Sequence, residues 1–282
     1  MHNPLLPPEP MLRVGLWNTR GKPVSHLLAA MARERDLNVL VLLENRNSDQ
    51  ALLAALNSGA DGLWYLTWGA CPRITILTRF SDEFVKPRIE SETHSLRTVK
   101  LPGLPEIVIA VAHLRSRAWQ AERSQSFGAV ELVDAIVELE EQVGHRRTLL
   151  VGDFNMDPFD DGMVGARALH AMMTRKTAAK GSRVVENRPY PMFYNPMWSL
   201  LGDTSPGPPG TYRYWRSEYV CQEWHAFDQV LVRPDLIDAF PTARLQILDR
   251  IGETALLTAA GVPSPSDHLP LTFHLLEPWS AP

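Results

Sequence analysis

The sequence TLLVGDFN at residues 148–155 contains the pattern on which the architecture of the chain depends. The apolar and β-branched run Thr148–Val151 passes at once into Gly152, Asp153, Phe154 and Asn155. A short run of this kind, bounded by a turn residue, is typical of a strand that is buried on both faces of a sheet. The carboxylate and the carboxamide thus follow a buried strand, which is where α/β scaffolds usually carry functional side chains.

Other apolar runs of the chain have the same feature, a polar or ionisable residue at one end. They are Leu12–Trp17 before Asn18, Val39–Leu43 before Glu44, Ile107–Ala112 before His113, Phe227–Val232 with Asp228 near its start, and Leu271–Leu276 after Asp267 and His268. One polar residue at the rim of a strand is common without any function. Six strands with this feature favour a shared functional site.

Helical patterns alternate with these strands. Ser25–Arg35 is one, and Ala118–Val143 is the clearest because Leu132, Ile136 and Leu139 recur at helical spacing. The remaining apolar runs also predict strands: Leu63–Thr67, Ile74–Thr78, Leu96–Leu101 and Leu245–Leu248. The Gly/Pro-dense residues 202–210 predict a loop inside one domain. We therefore expect an α/β fold of the α+β type, with helices covering β-sheets.

Composition bounds the class of protein. The chain has 282 residues, 45% of them apolar, and its longest aliphatic runs are far shorter than the roughly 20 residues that span a membrane. The Pro-rich residues 1–10 predict a flexible tail without the pattern of a secretory signal, so we expect a cytoplasmic protein. Cys71 and Cys221 are too few for a disulfide framework, and we expect both to be reduced and buried.

Charge is distributed unevenly along the chain. The formal net charge is −4, yet residues 162–224 hold eight basic and four acidic residues. A basic segment on an acidic body suggests one face that meets an anion. A solvated loop that happens to be basic is the equally open alternative.

The residue types at the strand ends indicate a hard metal ion. Asn18, Glu44, Asp153, Asn155 and Asp267 offer only oxygen ligands, which suit Mg²⁺, or Mn²⁺ as a substitute, better than zinc. Phosphate ester hydrolysis is a reaction that needs a cation, an activated water and donors to the transition state. The chain has no GxxxxGK[ST] loop, no GxSxG elbow and no HExxH motif, so the competing types of active site are weaker.

The ordered motifs resemble the endonuclease/exonuclease/phosphatase superfamily. They are LWN at 16–18, LLEN at 42–45, AHL at 112–114, GDFN at 152–155, FDQVLV at 227–232 and SDH at 266–268. The resemblance implies a four-layer αββα sandwich, two packed mixed β-sheets flanked by helices. It also implies a single domain over residues 11–282, with a substrate-specific insertion at about 160–210.

The resemblance implies a role for each matching residue. Glu44 would be the main magnesium ligand, and Asn18 and Asp267 would complete the metal neighbourhood. Asp153 would orient or deprotonate the attacking water, and Asn155 would hold the scissile phosphate.

The remaining catalytic roles implied by the resemblance fall on two histidines. His268 would contact a phosphate oxygen while Asp228 fixes its tautomer, and His113 would assist the leaving group. The expected substrate-binding residues are Arg46, Arg115, Tyr212, Arg213 and Trp215. Arg46 resembles a basic residue of the deoxyribonuclease-like branch, whereas Arg20 stands where the repair endonucleases carry an acidic residue.

Three functions remain open from the sequence. The first is a Mg²⁺-dependent nuclease that hydrolyses DNA or RNA phosphodiesters with a metal-activated water. The second is a phosphatase or phospholipase acting on inositol phosphates or phospholipid head groups, which the same catalytic set would serve. The third is a module that kept the fold and lost catalysis, although every expected catalytic position holds a competent residue.

Overall fold

The computed structural model describes residues 10–59, 62–116, 122–203, 205–215, 217, 219 and 221–277. The tail predicted at residues 1–10 lies outside the described residues except for Pro10. The first four residues of the helix predicted from Ala118 and the basic residue Arg216 also lie outside them.

The strands and helices follow one another in a strand-rich order. The strands are β1 (Pro10–Asn18), β2 (Val39–Leu43), β3 (Tyr65–Thr67), β4 (Ile74–Thr78), β5 (Val85–Glu90), β6 (His94–Val99), β7 (Ile107–His113), β8 (Thr148–Asp153), β9 (Ala171–Met172), β10 (Ser182–Val185), β11 (Arg188–Pro191), β12 (Phe193–Tyr194), β13 (Tyr212–Arg213), β14 (Trp224–His225), β15 (Asp228–Val232), β16 (Gln246–Ile247), β17 (Arg250–Ile251), β18 (Thr254–Ala255) and β19 (Leu271–Leu276). The α-helices are α1 (Ser25–Glu34), α2 (Asp49–Leu56), α3 (Glu122–Val143), α4 (Asp161–Val164) and α5 (Arg175–Ala178). Short 3₁₀ turns lie at Asp82–Phe84, Pro196–Leu200, Pro234–Leu236 and Thr242–Arg244.

Two mixed sheets form the centre of the molecule. The first has the order β16-β19-β1-β2-β4-β3, and the second has the order β5-β6-β7-β8-β15-β12-β9. They face each other, with β1 against β8 and β15, β2 against β8, and β4 against β7. Strands β2, β7, β8 and β15 are buried along their whole length, which explains why they read as continuous apolar runs.

Helices cover the outer faces of both sheets. Met31 of α1 packs close to Gly15 of β1 on the first sheet. Leu132 and Ile136 of α3 share a buried cluster with Val108 and Leu150 of the second sheet. The four-layer sandwich predicted from the sequence is confirmed. Among the described helices, none combines the length and the apolar character that crossing a membrane would need.

Several elements had no clear signal in the sequence, among them α2 and β5. α2 begins after Ser48, whose hydroxyl accepts a hydrogen bond from the Ala51 amide at 3.2 Å. β5 is polar and contains Pro87, which is tolerated because β5 is an edge strand with a register shift between Pro87 and Ile89. Edge strands face solvent on one side, so they lack the apolar run by which the central strands are recognised.

The proposed insertion at residues 160–210 contributes to the sheet as well as to the surface. Its strands β9 and β12 extend the second sheet next to β15. Its strands β10 and β11 pair only with each other and form a ribbon that is exposed along most of its length.

The expectation for the cysteines is correct for Cys71 and wrong for Cys221. Cys71 is buried, whereas Cys221 is exposed. Cys221 lies in the connection between β13 and β14, which form a separate two-stranded ribbon.

A buried ion pair joins α3 to the end of β15. Arg233 donates to Glu140 at 2.8 Å and 3.2 Å, and both side chains are at most 1% exposed. Thr148 also donates to the Glu140 carboxylate, at 2.6 Å.

Removing one partner of this pair should be costly, because it leaves a buried charge without compensation. We expect Glu140→Ala to lower the free energy of unfolding by about 3–5 kcal/mol, measured by urea denaturation. Asp134→Ala is the matched control, since Asp134 lies on the same helix in an exposed pair with Arg167 and should cost about 1 kcal/mol or less. Equal losses of unfolding free energy in the two variants would contradict a special contribution of the buried Arg233–Glu140 pair to stability.

Candidate active site

The strand registers bring the predicted residues of the second sheet into one row. β7 and β8 are parallel and place His113 opposite Asp153. β15 is antiparallel to β8 and places Asp228 opposite Asp153. In the first sheet, the parallel strands β1 and β2 place Asn18 opposite Leu43, directly before Glu44. The ends of both central strand pairs therefore carry the predicted polar residues.

The segment before β19 joins this row through contacts with β1. Ser266 donates to the Asn18 carbonyl at 2.7 Å, and the Trp17 indole donates to the His268 carbonyl at 2.8 Å. These bonds hold Asp267 and His268 against the end of the first sheet.

Gly152 is required by the close approach of β7. A Cβ at this position would overlap the Ala112 carbonyl oxygen. Asp153 can therefore follow the buried strand without a shift of the neighbouring strand, which gives a physical reason for the Gly-Asp pair.

A cavity of about 780 Å³ opens between these strand ends. Ten of the thirteen residues proposed from the sequence line it: Asn18, Glu44, Arg46, His113, Arg115, Asp153, Asn155, Tyr212, Asp267 and His268. Asp228 is fully buried and lies behind His268. Arg213 and Trp215 do not line the cavity.

Asp153 is at the centre of the polar contacts. One carboxylate oxygen accepts from the Asn18 amide at 3.0 Å, and the other accepts from the backbone amide of Asn155 at 2.9 Å. The first oxygen also lies 3.8 Å from Nε2 of His268 and 3.9 Å from Nε2 of His113. A small group in the cavity could contact the Asp153 carboxylate and both imidazoles.

His268 and Asp228 form a buried hydrogen-bonded pair. Nδ1 of His268 lies 2.7 Å from the Asp228 carboxylate. Burial alone would lower the pKa of His268, but the carboxylates of Asp228 and Asp153 outweigh it and raise the pKa to about 9. Nδ1 is held by Asp228, which leaves Nε2 of His268 on the side of the cavity.

The oxygen atoms near Glu44 fit a divalent cation. Glu44 is exposed to the cavity, and its carboxylate lies 3.5 Å from Nε2 of His113. Within the described part of the chain, the buried Oδ1 of Asp267 has no hydrogen-bond partner. Together with the side-chain oxygen of Asn18, these atoms form an oxygen-only set of the type that Mg²⁺ and Mn²⁺ prefer.

Two other groups compete for the same carboxylates. Arg20 forms an ion pair with Asp267. Asp153, Asp228 and His268 also lie close enough together to hold a metal. Within this second group, Nδ1 of His268 is already bonded to the Asp228 carboxylate.

Of the three substrate-binding residues predicted at 212–215, only Tyr212 lines the cavity. Tyr212 packs against the rings of His268 and Phe227, with centroid distances of 4.8 Å and 5.2 Å, and so forms one wall of the cavity. Arg213 points away, because it donates to the Ala260 carbonyl and pairs with Glu223. Trp215 is 67% exposed outside the cavity.

Sequence reasoning missed several residues of the site. Asn45, Arg73 and Phe227 line the cavity as well. Arg73 stands directly before β4, so the strand-end pattern could have identified it. His225 stacks on Phe227 and lies 2.7 Å from the Asp157 carboxylate, a second Asp–His pair that no local pattern indicates.

The described arginines of the basic segment at residues 162–224 have different surroundings. Arg167 pairs with Asp134, and Arg175 donates to the carbonyls of Ile237 and Phe240. Arg183 and Arg188 are exposed on the β10–β11 ribbon. The arginines at the cavity come from other segments.

Comparison with known families gives one match. The model described as the endonuclease/exonuclease/phosphatase family matches residues 15–268. Among curated proteins, none matches the chain.

Solved structures of low sequence identity share the fold. TDP2 from C. elegans is 15% identical with a TM-score of 0.57, and the match covers 94% of this chain and 75% of that one. The endonuclease domain of TRAS1, a telomere-specific non-LTR retrotransposon, is 13% identical with a TM-score of 0.55 and coverage of 97% and 100%. The catalytic domain of human nocturnin is 18% identical with a TM-score of 0.51 and coverage of 93% of each chain.

Proposed function

Since the chain belongs to the endonuclease/exonuclease/phosphatase family of phosphoester hydrolases, we propose that it is a Mg²⁺-dependent nuclease that hydrolyses DNA or RNA phosphodiesters, with Mn²⁺ as a possible substitute. The observation that carries the proposal is the convergence of Glu44, Asp153 and His268 on one cavity that arginines surround. A carboxylate, a charged imidazole and a metal-binding set together meet the needs of phosphoester hydrolysis.

The proposed roles follow from the contacts. Asp153 orients the attacking water and accepts its proton, because its carboxylate is fixed by Asn18 and by the Asn155 amide. His268 donates from Nε2 to a non-bridging phosphate oxygen and stabilises the negative charge that grows in the transition state.

The remaining residues act on the two sides of the phosphate. Asn155 holds the scissile phosphate, and His113 protonates the leaving oxygen. Glu44, Asn18 and Asp267 would hold the metal ion, which supplies a Lewis acid beside the phosphate when bound.

The charge around the cavity favours a polyanionic substrate. Arg20, Arg46, Arg73 and Arg115 line it, and among the described residues Arg46 and Arg73 have no ion-pair partner to neutralise them. The similarity of fold to a domain named as an endonuclease also supports a nucleic acid. A phosphatase acting on inositol phosphates or lipid head groups is the alternative that the following experiment separates.

We expect the purified protein to cleave single-stranded or double-stranded DNA or RNA in Mg²⁺ or Mn²⁺, and to lose this activity in EDTA. The measurement is product release from labelled polynucleotides, beside phosphate release from inositol phosphates and from phosphomonoesters. Release of phosphate from the small substrates with intact polynucleotides would contradict the nuclease proposal. Activity that survives EDTA would contradict the metal requirement.

A further inference from the structure

Arg73 lies beside the proposed metal ligand. Its carbonyl accepts a hydrogen bond from the Glu44 amide at 3.1 Å, and β4, which starts at the next residue, pairs with β2. The Arg73 side chain is exposed and lines the cavity. The position of Arg73 is therefore tied to that of Glu44 through the backbone.

The loop that carries Arg73 is held by a carboxylate from the second sheet. One oxygen of Glu90 accepts from the backbone amides of Ala70 and Cys71, each at 3.1 Å. Its other oxygen accepts from the Ser95 hydroxyl at 2.6 Å. Residues 70–71 are thus fixed by a side chain distant in sequence.

Arg97 completes this support. It is 1% exposed, donates to the hydroxyls of Ser95 and Thr67, and lies 3.9 Å from Glu90. A Cβ at Gly69 would overlap its guanidinium, so the loop backbone packs directly on the buried charge. Moving the loop would leave buried polar groups without partners, which is costly.

The arginines around the cavity differ in whether a carboxylate neutralises their charge. Arg20 pairs with Asp267, and Arg115 pairs with Glu92. Across the described residues, Arg46 and Arg73 have no ion-pair partner. In the proposed function, His268, Asn155 and the metal bind the scissile phosphate. Arg46 and Arg73 are therefore free to bind other anionic groups of the substrate.

We propose that Arg73 binds a non-scissile phosphate of a substrate in which phosphates repeat along a chain, and that the buried Arg97–Glu90 pair acts as its positioning element. This inference rests on the proposed function, since it assumes that the scissile phosphate lies between Asp153 and His268.

The first test compares two diesters on Arg73→Gln, in the full chain with Mg²⁺ or Mn²⁺. Bis(p-nitrophenyl) phosphate offers one phosphate, whereas a single-stranded oligonucleotide offers many. We expect kcat/KM to fall about tenfold more for the oligonucleotide than for the small diester, mostly through KM. The slope of log(kcat/KM) against log[salt] should become smaller by about 1.

Two variants serve as controls for the first test. Arg73→Lys should recover part of the loss, because it keeps the charge. Arg33→Gln removes an exposed arginine of α1 outside the cavity and should match the wild type on both diesters.

The second test concerns the positioning pair. Glu90→Gln should lower the oligonucleotide kcat/KM selectively, as Arg73→Gln does, because the loop loses its charged acceptor. Glu90→Gln combined with Arg73→Gln should add little to Arg73→Gln alone, since both act through the same contact. Fully additive losses would overturn the positioning role.

The outcomes separate this inference from the proposed function. Equal losses on both diesters, or none on either, would overturn the role of Arg73 while the nuclease assignment stands. A wild-type protein that hydrolyses neither diester would overturn both.

Discussion

Asp153→Asn is expected to lower kcat for phosphodiester cleavage by about 10²–10⁴-fold, the usual contribution of a general base. The carboxylate lies between the two imidazoles and accepts from Asn18 and from the Asn155 amide. An amide at this position keeps the size of the side chain and loses the capacity to accept a proton from water. KM should change much less than kcat, because the phosphate contacts remain.

Single-turnover cleavage of a labelled oligonucleotide measures the rate of the chemical step separately from the rate of product release. Asp134→Asn is the matched control, since this carboxylate is exposed on α3 and should leave the rate unchanged. The thermal midpoint of each variant shows whether the fold is kept. A folded Asp153→Asn variant with wild-type rates would remove Asp153 from the chemistry.

Glu44→Gln is expected to lower the rate at millimolar Mg²⁺ by about 10³-fold, because a metal ion supplies several kcal/mol of transition-state stabilisation. Glu44 is the carboxylate most open to the cavity, and its backbone amide is fixed by the Arg73 carbonyl. The glutamine keeps the shape and loses the charge that favours a divalent cation.

The dependence of rate on metal concentration distinguishes this role from a structural one. In Glu44→Gln, the Mg²⁺ concentration for half-maximal rate should rise, and excess metal should restore part of the activity. Glu83→Gln, at an exposed 3₁₀ turn, should follow the wild-type curve. A uniform loss of rate with an unchanged metal requirement would contradict metal binding by Glu44.

The central fold could be predicted because its strands are buried on both faces. Val39–Leu43 and Thr148–Val151 are unbroken runs of mostly apolar residues. The polar residues that follow each run are therefore easy to recognise as the ends of the strands. The ends of β2 and β8 lie at the same end of the two packed sheets, which brings Glu44 and Asp153 to the same cavity. Edge strand β5 could not be predicted in the same way, because only Val85 of its six residues is buried and the strand has no apolar run.

Contacts between distant segments could not be predicted from local patterns. Arg213 and Trp215 follow Tyr212 closely in sequence, yet Arg213 turns away to pair with Glu223 and Trp215 lies outside the cavity. The Glu90 contact with the loop before β4 joins two sheets, and no spacing in the sequence encodes it. Such pairings depend on which loops meet once the sheets have packed.

Electron paramagnetic resonance of Mn²⁺ is the most direct test of the central claim, that Glu44 holds a divalent cation beside Asp153 and His268. Titration of the wild-type protein should remove free Mn²⁺ signal with saturable binding, Mg²⁺ should compete, and Glu44→Gln should weaken this binding strongly while Glu83→Gln does not. Identical Mn²⁺ binding by the wild type and Glu44→Gln would contradict the account.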